Sequence, residues 1–114
     1  MAKMYCQWVG VILLALGIIG FLTPEFLTLH FTPLHNVIHL ASGAILAYLG
    51  FTGTSVKIGA QAFGVIYTLV GLIGFVQGTT VLNLFPVNTL YNVIHLVVGL
   101  IGLWAGFSKE AAAA

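Results

Sequence analysis

The chain has 114 residues, of which 61% are hydrophobic and only 4% are charged. Soluble domains carry about a quarter charged residues, so this composition excludes an ordinary water-soluble protein. The formal net charge is +1, which leaves no basic surface that could neutralise several phosphates, and we expect no nucleic-acid binding.

Four long uncharged runs predict four transmembrane helices, because a bilayer span needs roughly 20 apolar residues. In hydrocarbon every backbone donor and acceptor must be paired inside the segment, so these runs are expected to be helices. We therefore predict an all-α integral membrane four-helix bundle that takes up the chain, residues 1–114, as a single domain. The four spans cover roughly residues 5–22, 34–51, 58–77 and 89–107.

The lysines predict the orientation of the chain in the membrane. With four spans, the N-terminus, the central loop and the C-terminus lie on one side, where Lys3, Lys57 and Lys109 are found. By the positive-inside rule that side is cytoplasmic, and the loops at residues 23–33 and 78–88 face outwards. We expect a multi-pass protein of a bacterial plasma membrane or an internal, thylakoid-like membrane, with both termini cytoplasmic.

The second half of the chain repeats the first. Residues Leu16–Phe21 read LGIIGF and Val70–Phe75 read VGLIGF, while Asn36–Leu40 and Asn92–Leu96 both read NVIHL. Internal repeats of this kind indicate a duplicated structural unit.

Each repeat, about 5–51 and about 58–107, is predicted to be one helical hairpin. Two hairpins inserted in the same direction are expected to be related by a pseudo-twofold axis along the membrane normal. Small residues let transmembrane helices approach closely, so glycines should line the helix contacts; the candidates are Gly10, Gly17, Gly64, Gly71, Gly99, Gly102 and Gly106.

An Asn-x-x-His motif lies near the outer end of each even-numbered helix, as Asn36 with His39 and as Asn92 with His95. The i, i+3 spacing puts both side chains on one helical face, and polar groups in lipid are expected to turn towards the bundle interior. The bland interpretation is interhelical hydrogen bonding. The sharper one makes the histidines axial ligands of haem iron or chlorophyll magnesium, with a glycine one turn further on giving room for the macrocycle.

A third histidine, His35, lies beside the first motif. Three histidines could make an open zinc or copper site with His39 and His95. Tyr91 stands at the position of His35 in the second repeat, and no carboxylate or thiolate completes the set. We therefore predict no metal centre, and His35 stays a candidate cofactor-binding residue.

Aromatic residues near the predicted membrane boundaries are expected to form interfacial belts. Tyr5, Trp8 and Trp104 fall near the cytoplasmic ends, and Phe85 and Tyr91 near the outer ends. Amphipathic rings prefer this depth, so the placement predicts anchoring to lipid headgroups.

The paired motifs resemble a family of small bacterial four-helix membrane proteins of unknown function. The resemblance is carried by Asn36–Leu40, by Asn92–Leu96 and by the outer-loop segment Leu84–Asn88. It implies the four-helix fold and supplies no activity. The positions of this chain that match the family's motifs are His35, Asn36, His39, Asn92 and His95.

Signatures of enzymes are missing from the sequence, and the two acidic residues, Glu25 and Glu110, lie at or beyond the predicted membrane ends. We expect a non-enzymatic accessory or structural subunit of a larger photosynthetic or respiratory membrane complex, in contact with lipid and other subunits. Chlorophyll, carotenoid or haem b are the cofactors considered. One alternative is a b-type haem protein that uses His39 and His95, and another is a small transporter or channel.

Overall fold

The fold consists of four long helices, seen in a computed structural model that describes residues 1–26 and 29–108. Each helix is long and apolar enough to cross a membrane, which confirms the four predicted spans. Lys109 and Glu110 lie outside the described residues. The helices are α1 (Ala2–Leu22), α2 (Pro33–Thr52), α3 (Val56–Gln77) and α4 (Thr89–Phe107).

Each of the two loops that are predicted to face outwards, which we call the outer loops, contains a pair of short antiparallel strands. The sequence did not predict these strands. Strands of two residues are too short to show an alternation of apolar and polar side chains, so a sequence pattern cannot reveal them. The strands lie between the two helices of each hairpin. The first pair is β1 (Glu25–Phe26) with β2 (Leu29–His30), and the second pair is β3 (Thr80–Val81) with β4 (Phe85–Pro86).

Polar caps start the two even-numbered helices. The Thr32 hydroxyl accepts a hydrogen bond from the backbone N–H of His35 at 3.3 Å. In the second repeat, the Asn88 side chain accepts one from the backbone N–H of Tyr91 at 3.0 Å. Ser, Thr, Asp and Asn are the usual N-caps because they pair donors that the first helical turn leaves free. The caps therefore fix where His35 and Tyr91 enter the bundle.

Glycines hold the helices of each hairpin in close contact. A Cβ atom added to Gly10 of α1 would lie 2.9 Å from the Ala47 Cα of α2. One added to Gly64 of α3 would lie 2.8 Å from the Gly102 carbonyl carbon of α4. Every glycine within a helix is buried, which confirms that these glycines pack helices. It also means that they are not available as a surface for other subunits.

An equivalent hydrogen bond joins the two helices of each hairpin at the end of the bundle that carries the chain's N-terminus. The Gln7 side-chain amide donates to the Gly50 carbonyl at 3.1 Å, and the Gln61 amide donates to the Gly106 carbonyl at 2.8 Å. Both carbonyls belong to the last turn of a helix, where no intrahelical donor is available. The same glutamine thus joins the same two helices in each repeat.

The hairpins meet around small and aromatic side chains of α1 and α3. Cys6 is buried, with its thiol 3.5 Å from the Val56 carbonyl. The Tyr5 hydroxyl donates to the Val98 carbonyl of α4 at 3.1 Å. The start of α1 therefore lies beside the start of α3, which puts Lys3 and Lys57 at the same end of the bundle.

The predicted aromatic belts are wrong for three of five residues. Trp8 and Trp104 are exposed on the helix surface, as expected for lipid-facing anchors. Tyr5, Phe85 and Tyr91 are buried instead. All three residues lie near the ends of helices, as predicted. The depth of a residue in the membrane, however, does not determine whether its side chain faces lipid or the bundle interior.

Candidate metal centre

Three histidines converge where the two hairpins meet. His35 and His39 lie one turn apart on the same face of α2, and His95 reaches them from α4. The ring centroids of His35 and His39 are 4.2 Å apart, and those of His35 and His95 are 6.0 Å apart. One nitrogen from each ring lies within 4.8 Å of the other two.

The three imidazoles are buried and lack partners on one side of each ring. Their exposed fractions are 1% for His35, 4% for His39 and 5% for His95. Among the described residues, no group hydrogen-bonds the Nδ1 atom of any of the three. An unpaired polar atom inside a membrane protein is costly, because neither water nor lipid can satisfy it. Three such atoms lie in one place, where a ligand could pair with them.

Aromatic side chains form the outer wall of this histidine cluster, which we define as His35, His39 and His95. The Phe85 ring stacks on His35 with centroids 4.4 Å apart and an interplanar angle of 17°. Phe31 packs edge-on against His39 with centroids 6.0 Å apart. Because Phe31 and Phe85 are both buried, they separate the cluster from the end of the bundle that carries the four short strands.

Tyr91 explains why the cluster has three histidines although the repeat has two copies. Its position in α4 corresponds to that of His35 in α2, but its hydroxyl donates to the backbone carbonyl of His30 in the first outer loop. The His30 side chain is exposed and paired with Glu25, so it takes no part in the cluster. The second hairpin thus uses this position to bind the first outer loop.

The two asparagines of the motif lie apart from the histidine cluster. The Asn36 amide packs directly against Gly20 of α1, and the Asn92 amide packs against Gly74 of α3. The oxygen of each amide has no hydrogen-bond partner in the described part of the chain. Asn and His therefore share a helical stripe, as predicted, but only the histidines meet between the hairpins.

The space beside Gly43 and Gly99, which was predicted to accommodate a macrocycle, is occupied by neighbouring helices. A Cβ on Gly43 would lie 2.7 Å from the backbone nitrogen of Leu14 in α1, and one on Gly99 would lie 2.8 Å from the Thr68 Cα in α3. The glycine that follows each histidine by one turn thus accommodates the neighbouring helix of its own hairpin.

Two cavities flank the histidine cluster, and both reach His39, His95 and Tyr67. The larger has a volume of about 320 Å³ and lies between α2, α3 and the second outer loop. The smaller has a volume of about 100 Å³ and lies between α1 and α4. Both are lined mainly by aliphatic side chains.

The donor set of the cluster suits one class of metal ion. Neutral imidazoles bind zinc, copper, iron and nickel, whereas magnesium and calcium prefer oxygen ligands. Metal–nitrogen bonds of about 2.0–2.1 Å in a tetrahedron require ligand atoms about 3.3 Å apart. Rotations of the histidine side chains can bring nitrogens within 4.8 Å to that spacing, because the terminal torsion of histidine is broad.

The sequence itself contains one signal for a metal site, which is the spacing of His35 and His39. Two histidines at i and i+4 on one helix form a familiar metal-binding pair, and His35 with His39 has this spacing. The position of the third ligand depends on which face of α4 meets α2. That is a tertiary property, which spacing along one helix does not contain.

These features define a multi-pass membrane protein with a buried histidine cluster between two helical hairpins. A family model described as a domain of unknown function, DUF4383, matches residues 57–114. The match covers just over half of the chain and includes His95, and the protein belongs to this family. Neither the curated proteins nor the solved structures include a match to the chain.

Proposed function

We propose that the protein is a non-enzymatic membrane protein that binds one transition-metal ion through His35, His39 and His95. The observation that carries this proposal is the convergence of three buried ring nitrogens within 4.8 Å of one another. Each of the three rings also has an Nδ1 atom without a hydrogen-bond partner in the described part of the chain. Imidazole ligation without a carboxylate favours zinc or copper over magnesium or calcium.

A haem held by His39 and His95, the alternative from the sequence, is less well supported. A porphyrin occupies the plane between its two axial ligands, and His35 has a ring nitrogen within 4.8 Å of both other histidines. Gly43 and Gly99, which were expected to leave space for the ring, contact helices instead. A single ion needs no such plane.

The accessory role in a larger photosynthetic or respiratory complex stays a prediction, as do a transporter or channel and the binding of chlorophyll or carotenoid. A metal ion in the bundle is compatible with an accessory role, because it would serve as a prosthetic group of the assembly. The buried glycines place one limit on that role. Contact with other subunits would use aliphatic and aromatic surfaces, such as those around Trp8 and Trp104, which are exposed.

We also propose that the hairpins are related by a pseudo-twofold axis along the membrane normal. Two pairs of equivalent contacts support it: Gln7 and Gln61 donate to equivalent carbonyls, and the two motif asparagines pack on equivalent glycines. In this proposal the chain belongs to a bacterial family whose members carry the duplicated hairpin, and the paired Asn-x-x-His-Leu motifs were retained in both copies.

Metal titration of the purified protein in detergent tests the proposed site. After treatment with a chelator, the protein is dialysed against Zn²⁺ or Cu⁺, with Mg²⁺ as the negative control, and bound metal is measured per chain. We expect one zinc or copper ion per chain and no magnesium. Replacing His39 or His95 by Phe, which keeps a planar ring, should weaken binding at least tenfold, since even partners outside the coordination sphere contribute 10- to 100-fold in affinity.

The matched control is His30→Phe, which removes an exposed histidine of the outer loop and should leave metal binding unchanged. A wild-type protein that binds no zinc or copper overturns the proposal, as does unchanged binding in a folded His95→Phe variant. A visible haem band that is lost on replacing His39 or His95 but retained in His35→Phe would establish the haem protein instead.

A further inference from the structure

The larger cavity has the size and place of a site for a lipid-soluble ligand. Its volume of about 320 Å³ is at the lower end of the range for small-molecule pockets. Ile66 and Leu69 of α3 line it, and their exposed fractions are 47% and 51%. Because these side chains lie on the lipid-facing surface, the cavity borders the hydrocarbon between α2 and α3.

The two repeats differ in polarity around this cavity. Ser42 and Tyr67 line it, and the corresponding residues of the other repeat are Val98 and Leu13, which line the smaller cavity of about 100 Å³. Ser42 lines the larger cavity and not the smaller one, whereas Tyr67 lines both. The divergence of the two repeats thus places two hydroxyls at the larger cavity.

The hydroxyl of Tyr67 has a free hydrogen-bonding position. It is buried and interacts with the Ser42 side chain, yet it forms no hydrogen bond of good geometry with any described atom. Buried tyrosine hydroxyls usually have a partner, because an unpaired one loses its bond to water without replacement. Two hydroxyls side by side in an aliphatic cavity can donate to an acceptor on a ligand.

We propose that this cavity binds the ring of a lipid-soluble compound that bears carbonyl oxygens, the chemistry of membrane quinones. The aliphatic walls would enclose the ring, and Tyr67 with Ser42 would donate to a carbonyl. A hydrocarbon tail would leave between α2 and α3, where Ile66 and Leu69 border the lipid. The cavity adjoins the proposed metal centre, because His35, His39 and His95 also line it. The two hydroxyls themselves are not metal ligands in that proposal.

Equilibrium binding of a short-chain quinone to the purified full-length chain in detergent tests the proposal. The probe is a naphthoquinone with one isoprenoid unit, and its binding is measured for the wild type, Tyr67→Phe and Ser42→Ala. A neutral hydrogen bond contributes about 0.5–1.5 kcal/mol, so each variant should bind about two- to tenfold more weakly. Tyr5→Phe removes another buried tyrosine hydroxyl, which does not line the cavity, and should bind like the wild type.

A naphthalene with the same tail and no carbonyl serves as the competing ligand. Failure of the wild type to bind the quinone overturns the proposal. So does equal binding of the naphthalene together with unchanged affinity in Tyr67→Phe, which would identify a cavity for hydrocarbon chains only. Co-elution of each variant with the wild type on size exclusion checks folding, and zinc binding measured on the same samples separates this result from the metal proposal.

Discussion

At the scale of single residues, the motif asparagines and histidines have separate roles although they share one stripe of each even-numbered helix. Asn36 faces Gly20 within its own hairpin, while His39 faces the other hairpin. The contact between an amide and a glycine Cα allows weak Cα–H···O interactions and excludes any larger side chain. The asparagines therefore set the distance within a hairpin, and the histidines lie between the hairpins.

Gly20→Ala tests the packing role of Asn36. The new methyl would overlap the Asn36 amide, and overpacking of a close contact costs about 1–3 kcal/mol. We expect this loss in the free energy of unfolding, measured by denaturation in mixed detergent, and a similar loss for Gly74→Ala against Asn92.

Enlarging a lipid-facing residue of the same helix provides the control: Ala15 is exposed, so Ala15→Leu should leave stability unchanged. Adding Asn36→Ser to Gly20→Ala should restore part of the loss, because the shorter side chain makes room. If Gly20→Ala were as stable as the wild type, this contact would not determine the helix spacing.

At the scale of elements, each hairpin has polar groups at both ends of its second helix and glycines along the contact between its two helices. The caps at Thr32 and Asn88 start α2 and α4, while Gln7 and Gln61 satisfy carbonyls where these helices end. Helix ends leave four donors and four acceptors without intrahelical partners. Pairing some of them inside the protein stabilises helices whose ends lie near the membrane surface.

Gln7→Leu tests the contribution of this side-chain bond. Leucine retains most of the apolar bulk and removes the donor to the Gly50 carbonyl. Interhelical hydrogen bonds in membranes average about 0.6 kcal/mol and reach about 1.7 kcal/mol, so we expect a loss in that range in the same denaturation assay.

Gln61→Leu should give a comparable loss, and the double variant should show the sum of both, because the two bonds lie in different hairpins. The exposed Tyr48 allows a control, Tyr48→Phe, that should change nothing. A loss well above the sum would show that the two glutamines are coupled.

At the scale of the whole molecule, two similar hairpins enclose a polar interior near one end of an otherwise apolar bundle. The exterior is apolar along all four helices, with many exposed large hydrophobic side chains, as lipid requires. The buried polar side chains are the histidine cluster and the two motif asparagines, and Ser42 and Tyr67 add two hydroxyls beside the cluster. This interior is where we propose that an ion and a ligand bind.

Cysteine labelling in intact cells tests the predicted orientation. In a Cys6→Ala background, Thr79→Cys in the second outer loop should react with a membrane-impermeant maleimide, because Thr79 is exposed and the loop is predicted to face outwards. Thr54→Cys, between α2 and α3, should react only after permeabilisation, since the Lys57 side is expected to be cytoplasmic. The opposite labelling pattern would reverse the topology.

The amino-acid sequence was sufficient to predict the number, the type and the approximate bounds of the four helices. A bilayer requires runs of roughly 20 apolar residues and internally paired backbones, so composition and run length predicted four helices close to their observed bounds. The repeated glycines and the Asn-x-x-His motif also identified faces that turn inwards, because burying polar atoms in lipid is costly. These are local properties of one helix in one solvent.

Only the tertiary structure decided which of those residues meet. It separated Asn36 from His39, filled the space beside Gly43 with α1 and brought His35 and His95 together across two helices. It also revealed that Tyr67 and Ser42 share a cavity. The spacing along a helix determines a face but not the rotation of that face against its neighbours, and this rotation results from the packing of all four helices together.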